Sequence, residues 1–590
     1  MENKTNIFKN LIWVAKQTIS VDKKYIFILI TSMIISGIIP PISLIMMQKI
    51  LNELQIKSSL RTLFLLIFIY VLIDLFQSIY NNILEYYKTK FSLKFDLKFN
   101  ELILKKASRL KLKSYENSEV YDMINRAQYE SNGKLISYLQ TFTGVLSKIL
   151  TMISYLIILL SFKPWIVMCI IIIPIIKFLV SRKINIMSFN LIKNRTNDAR
   201  KSWYMQYLLT YGDFYKELKT YNIFNYFIDR YKKYIKEFNK QDINLVKKST
   251  ILMSIITVFE LIIDGILFSY IIFNGFKGKI LIGNVMTYMK TITQIKEQMI
   301  SILQSFSGMN KESLFIDQLI KYFDLQEIND SGTIKISEIK NIKIENLYYK
   351  YREEQDYVLK NINLEIKENE TIAIIGQNGS GKTTLIKILM GFYDDYEGEI
   401  YINGVNMKEI DKKSILARIA TLFQDFVKYE ATFRENISYG NLEVLKDDEK
   451  LYSITNKFGI NELIKNSEKA LDTQVGHWFD NGKQISLGQW QKVALSRAFS
   501  KNANLYILDE PNSALDAISE YNLSVSYSKL LENSMGIIVA HKFNNFIKDV
   551  DNIIILSDGV ISGEGTHQDL ISTNKIYQKL YNIQIGTLKE

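Results

Sequence analysis

Cysteine occurs once in this 590-residue chain, at Cys169 inside an apolar run, and histidine three times. A single thiol excludes a disulfide framework and a cysteine-based metal site, and leaves no nucleophile for an N-terminal cysteine protease. A cleavable signal is also unexpected. The first apolar run, from about Tyr25 to Ile50, is longer than a signal-peptide core and lacks a small-x-small cleavage site, so it should remain in the mature protein. Acidic charge is in deficit, 61 Asp and Glu against 73 Lys and Arg, for a net +12. That surplus would suit nucleic acid, but the basic residues cluster beside apolar runs, as in "YYKTKFSLKFDLKF" and "RYKKYIKEF". Positive-inside bias puts them there, and no nucleic-acid partner is expected.

What is present divides the chain in two. Residues 25 to about 305 hold long runs of Ile, Leu, Phe, Val and Met, whereas 336–590 read as a soluble α/β domain. The mean hydropathy of +0.01 describes neither half. A run of about 20 apolar residues crosses a bilayer as a helix, and six runs qualify: 25–50, 62–87, 137–162, 164–185, 249–275 and 279–305. Pro40-Pro41 would kink the first, and Pro164 opens the fourth, where a missing N–H costs little. The links 88–136 and 186–248 are long, Lys-rich and apolar at helical spacing. Their charge assigns them, with the N-terminus, to the cytoplasmic side, so both chain ends and the soluble domain are expected inside. Helical extensions of this length should reach well into the cytoplasm. Their turning regions, 114–127 and 211–224, read either as short helices lying across the tips or as solvated hairpins.

The soluble half carries recognisable chemistry. "TIAIIGQNGSGKTTLIKIL" is an apolar strand, a glycine turn and a helix containing Gly376-x-x-x-x-Gly381-Lys382-Thr383. In such a loop, backbone N–H groups of Gly376, Asn378, Gly379, Ser380 and Gly381 approach the phosphates of a nucleotide, with Thr384 in the helix that follows. Lys382 would reach the β- and γ-phosphates, and the Thr383 hydroxyl would ligate Mg²⁺. "NLYILDEP" supplies a buried strand that delivers Asp509 towards the metal and sets Glu510 where a carboxylate can polarise water.

With these residues in place, 336–590 resembles the nucleotide-binding domain of ATP-binding cassette (ABC) transporters. The resemblance implies that Tyr351 in "NLYYKYREEQ" stacks on adenine and that Gln424 in "LFQDF" links the metal site to the membrane domain. It gives "ISLGQ" (Ser486, Leu487, Gly488, Gln489) as the signature turn, Asp516 in "SALD" as the D-loop residue, and His541 in "IIVAHK" as the switch histidine at the γ-phosphate. His477 and His567 have no comparable case. In this family the signature turn closes over ATP held by a second domain, and the chain has one motif of each kind. A second copy is therefore implied, as homodimer or heterodimer. The family pattern has glycine where Leu487 stands. If that position requires positive φ, Leu487 costs about 1 kcal/mol or more and the site is slower; if not, it is tolerated.

Six spans fused ahead of the cassette resemble an exporter half-transporter. The expected organisation is a cytoplasmic segment 1–24, a six-helix transmembrane domain 25–310 with long cytoplasmic extensions, a linker 311–335, and an α/β P-loop domain 336–590, in a bacterial plasma membrane. "GHWFDNGKQISLGQWQK" with "YILDEPNSALD" is similar to exporters of lantibiotics and related modified peptides. Since no cysteine precedes the first span, the similarity is to members without an N-terminal peptidase. Those move a precursor still bearing its leader and can associate with peptide-modifying enzymes. The same scaffold also serves exporters of drugs, lipids or other amphipathic small substrates, and a non-transporting signalling ATPase is a further reading. A DNA-repair ATPase with a related cassette is disfavoured by six apolar runs and no long coiled coil. Within the fifth run, Glu260 and Asp264 share one helix face. At bilayer depth they either pair with Lys177, Lys290 or Lys296, or attract a cationic segment of the cargo.

Overall fold

Helix lengths in the first half exceed what a bilayer needs. Its elements are α1 (Ile7–Val21), α2 (Lys23–Ile56), α3 (Leu60–Ala107), α4 (Leu112–Glu116), α5 (Lys134–Leu160), α6 (Pro164–Asn194), α7 (Thr196–Thr210), α8 (Gly212–Thr220), α9 (Phe224–Phe276) and α10 (Ile282–Phe323). The computed structural model describes residues 7–117, 120, 123, 124, 133–328, 332–352, 356–511, 517–540 and 545–584. The chain forms two units, 1–108 with 118–325, and 109–117 with 326–590, so that α4 belongs to the second.

In the first unit, α3 has 48 residues and α9 has 53, about 70 and 80 Å at 1.5 Å per residue, more than twice a hydrocarbon core. Asp22 caps α2 by accepting from the Lys24 N–H, and the helix runs on through Pro40 and Pro41. Pro164 occupies the first turn of α6, as its missing donor allows. Among the described residues, α2, α3, α5, α6 and α9 are long and apolar enough to cross a membrane. The expected sixth run forms α10 but falls short of that apolarity, because Lys290, Lys296 and Glu297 interrupt it. Its apolar seam is nonetheless buried: Tyr288, Ile292 and Ile295 join Leu44, Tyr155, Leu159, Ile166, Ile170, Leu267 and Ile271 in one cluster. At the second turning region the chain forms the short helix α8. At the first, α4 closes at Glu116, and most of 117–132 lies outside the described residues.

The second unit contains β1 (Ile342–Tyr349), β2 (Leu359–Ile366), β3 (Thr371–Ile375), β4 (Glu397–Ile402), β5 (Val405–Asn406), β6 (Ile419–Leu422), β7 (Leu505–Asp509), β8 (Met535–Ala540), β9 (Asn552–Ser557) and β10 (Val560–Gly565). They build an antiparallel sheet β2-β1-β4-β5 and a six-stranded sheet β10-β9-β3-β8-β7-β6, parallel except for β10. The central strands β3, β7 and β8 are buried at every position and mostly apolar, because both faces are covered. Two cores follow from the pleat. Ile372, Ile374, Ile507, Ile537 and Val539 pack on one side with Leu385, Ile386 and Ile388 of α11 (Lys382–Leu389). Ala373, Ile375, Leu508 and Ile538 pack on the other with Trp490, Val493 and Leu495 of α12 (Leu487–Ser500).

Candidate functional site

The turn between β3 and α11 needs glycine for definite reasons. Gly379 and Gly381 have φ of 81° and 104°, where a side chain is strained, and a Cβ on Gly376 would overlap the Leu556 carbonyl. Lys382 is buried, and its Nζ donates to the carbonyls of Gly376 (2.8 Å) and Gln377 (2.9 Å). Burial lowers its pKa, opposed by the nearby Glu510 and Asp509. The Ser380 hydroxyl is buried without a hydrogen-bond partner among the described residues. An orphaned donor in a glycine cradle at a helix N-terminus suits a phosphate. Asn378 is exposed on the same loop. Thr384 is buried, and its hydroxyl lies 2.8 Å from that of Tyr351.

Strand β7 ends beside this loop. Asp509 is buried, and desolvation with the neighbouring Glu510 charge pushes its pKa up to about 6, against the pull of Lys382 and a hydrogen bond from Thr383. Thr383 and Asp509, both expected near Mg²⁺, are thus close enough for the hydroxyl to act on the carboxylate. Glu510 sits at φ 49°, a strained conformation for a non-glycine residue. Its N–H donates to the Val539 carbonyl (3.0 Å) and its Oε2 accepts from Gln424 Nε2 (2.9 Å). Gln491, which the motifs did not single out, is buried on α12 and donates to the Glu510 carbonyl at 3.3 Å. Its signal was a polar residue on the apolar face of the helix. Arg497, further along α12, donates to Val427 O (3.0 Å), in the loop after Gln424, and to Asn436.

Ser486 is the N-cap of α12: its Oγ accepts from the Gln489 N–H (3.3 Å), and Gln489 Oε1 accepts from the Ser486 N–H (2.9 Å). This reciprocal capping box presents the turn at a helix start. Leu487 is the first helical residue, 52% exposed, and is not among the positive-φ positions. Of the two alternatives for Leu487, the geometry takes the tolerated one. Since α11 and α12 pack on opposite faces of one sheet, the signature turn and the phosphate loop of a single chain are not on one side. Asp516 and His541 lie outside the described residues.

In the first unit, Glu260 is ion-paired with Lys177 and with Lys296 (3.3 Å), and Lys296 also pairs with Asp264. Two lysines and two carboxylates form a closed, neutral set, which is the internal-pairing alternative.

The ABC transporter family model matches residues 359–513. The subtilin transport ATP-binding protein SpaT of Bacillus subtilis is 34% identical over 582 residues, covering 97% of this chain and 95% of its own. The nisin transport ATP-binding protein NisT of Lactococcus lactis subsp. lactis is 33% identical over 497 residues, 82% of this chain and 81% of its own. An ATP-dependent lipid A-core flippase of Neisseria meningitidis serogroup B is 31% identical over 350 residues, 58% of this chain and 55% of its own. In fold, a bacterial Atm1-family ABC exporter solved with ATP bound superposes with a TM-score of 0.75 at 18% identity, covering 98% of this chain and 99% of that one. The chain belongs to the ABC transporter family, and it is an ABC exporter whose ATPase domain couples ATP hydrolysis to transport.

Proposed function

We propose that the cargo is a modified, lantibiotic-like precursor peptide, moved out of the cytoplasm by two copies of this chain that share two ATP sites. The observation that carries the cargo is likeness to subtilin and nisin transport proteins across nearly the whole chain, membrane half included. A lipid cargo is the second reading, favoured by the flippase match. In the first reading, leader-bearing peptide should raise ATPase activity of the reconstituted protein, whereas lipid A-type lipids or hydrophobic drugs should not; the reverse pattern selects the second. Activity blind to both would remove both cargo assignments. In both transport readings the termini and the ATPase domain are cytoplasmic, and peptide-modifying enzymes are candidate partners in the first.

For hydrolysis, Gly376, Asn378, Gly379, Ser380, Gly381, Lys382 and Thr384 would hold the triphosphate, and Tyr351 would stack on the base. Thr383, Asp509 and Gln424 suit Mg²⁺, an oxygen-seeking cation that would neutralise phosphate charge. Glu510, held by Gln424 and by its own backbone, would orient the attacking water, with His541 at the γ-phosphate. The signature turn and Asp516 would act on the partner copy's nucleotide. Glu510→Gln keeps shape but removes the carboxylate, so hydrolysis should fall by about 100-fold or more with ATP binding retained. Turnover within a few-fold of wild type at saturating Mg²⁺-ATP would remove Glu510 from this role.

A further inference from the structure

Helix α4 and its N-cap Lys111 are fastened to α11 and the segment that follows it by three ion pairs. Lys111 pairs with Asp394 (3.0 Å), Lys113 with Asp395 (2.6 Å) and Glu116 with Lys387 of α11 (3.1 Å), while Leu112 packs against the core beneath. The contact does not end at the surface. Tyr393, 1% exposed, directs its hydroxyl at the Glu116 carboxylate, 2.7 and 2.9 Å from the two oxygens. Lys387 Nζ also reaches that hydroxyl, at 3.4 Å. The Tyr393 ring stacks on Tyr349 (centroids 5.1 Å, 22°) and meets Tyr351 edge-on at 5.7 Å and 86°. Tyr349 meets Tyr351 edge-on as well, at 5.3 Å. Tyr351 is therefore held by two tyrosine rings and, through its hydroxyl, by the Thr384 hydroxyl of α11. Aromatic pairs have a directional preference, so the ring array specifies orientation.

We propose that Glu116 and Tyr393 are positioning residues for base recognition: α4 fixes the Tyr393 hydroxyl, Tyr393 fixes the Tyr351 ring, and ATP affinity follows the docking of α4. The inference rests on the reading of Tyr351 as the base-stacking residue. It assigns Tyr393, which belongs to none of the nucleotide motifs, a role that only its contacts reveal. It also gives the Glu116 carboxylate, which meets Tyr393, a different task from Lys111 and Lys113, which pair with Asp394 and Asp395.

The test uses the full-length protein in lipid nanodiscs. Tyr393→Phe removes the hydrogen bond to Glu116 and keeps the ring, so the KM for ATP should rise about 3-fold, the part of that bond's contribution that reaches the base through Tyr351, with kcat within two-fold. Inhibition by inorganic tripolyphosphate, which has no base, should be unchanged. Glu116→Ala should reproduce the same split, and Glu116→Gln, whose amide oxygen still accepts from Tyr393, should return the KM to near wild type. Tyr351→Ala is the control on the underlying reading: a KM that does not rise there refutes base stacking itself. A raised KM in Tyr351→Ala with unaltered KM in Tyr393→Phe and Glu116→Ala overturns the relay alone. So does a parallel loss of kcat or of tripolyphosphate inhibition, which would report a damaged phosphate loop instead.

Discussion

A leucine in the signature turn looks, by sequence, like a defect, because glycine ordinarily marks positive φ. Leu487 instead occupies the first helical position after a complete Ser486–Gln489 capping box, with its side chain exposed. Leu487→Gly should therefore relieve no backbone strain and, by helix propensity, lose up to about 1 kcal/mol. ATP turnover should stay within two-fold and melting should fall slightly; a several-fold faster enzyme would restore the idea that Leu487 slows the site. His567 shows the opposite case, a histidine without a nucleotide motif that the fold uses. Its Nδ1 lies 2.6 Å from the buried Tyr577 hydroxyl, and burial, reinforced by Lys548, holds its pKa below the ordinary 6.5. The folded state thus binds fewer protons here than the unfolded chain. The stability it contributes is present above the unfolded pKa and is lost as pH falls from there towards the lower folded pKa. His567→Gln should flatten the fall in melting temperature between about pH 7.5 and 5.5. An unchanged pH slope would show that other groups set it.

The membrane helices are tied by charge as well as by apolar packing. Lys177 of α6, Glu260 and Asp264 of α9, and Lys296 of α10 balance one another, so deleting one member strands an opposite charge. Lys296→Met should destabilise the protein by about 3–5 kcal/mol, the usual consequence of breaking rather than replacing a buried pair. Adding Asp264→Asn should recover part of the loss. Melting of Lys296→Met within a degree of wild type in detergent would mean that the lysine is solvated. Because the set is internally neutral, Glu260→Gln with Asp264→Asn should lower basal and peptide-stimulated ATPase together; a selective loss of stimulation would return these carboxylates to the cargo. Spans and phosphate loop were legible because each rests on local pattern: runs of some 20 apolar residues, or glycines at fixed spacing between strand and helix. Which lysine pairs with Glu260 was not, since residues 83 and 36 positions apart meet only through helix packing. Gln491 and Tyr393 were missed for the same reason, as both act through tertiary neighbours. The sixth span was read as more apolar than it is, because a helix whose charges find partners inside a bundle need not satisfy a lipid-facing average.

At the scale of the whole molecule, the six-stranded sheet supports the proposal that two copies share each ATP site. The phosphate loop leads into α11 and the signature turn into α12, and alternate residues of β3, β7 and β8 commit these helices to opposite faces. No rotamer change brings Ser486 over Lys382 of its own chain, because a sheet covered on both sides lies between the cores. In the proposed dimer the motifs would become complementary when two copies face each other about a two-fold axis, each loop meeting the other chain's turn. This has a consequence that a self-contained site would not share. Lys382→Ala disables a chain's loop and spares its turn; Ser486→Arg does the reverse. Each variant alone should be inactive, since both sites of its dimer carry the lesion. When the two are co-expressed, a mixed dimer contains one doubly damaged site and one intact site, built from the Ser486→Arg chain's loop and the Lys382→Ala chain's turn. With random pairing half the dimers are mixed, so ATPase activity should recover to roughly a quarter of wild type. Isolating the mixed dimer by two different affinity tags should raise that towards half. If the mixture stays as inactive as either variant, the two sites either lie within single chains or cannot fire one at a time; scoring trapped nucleotide in the isolated mixed dimer separates these, because a shared site would still occlude one ATP per dimer.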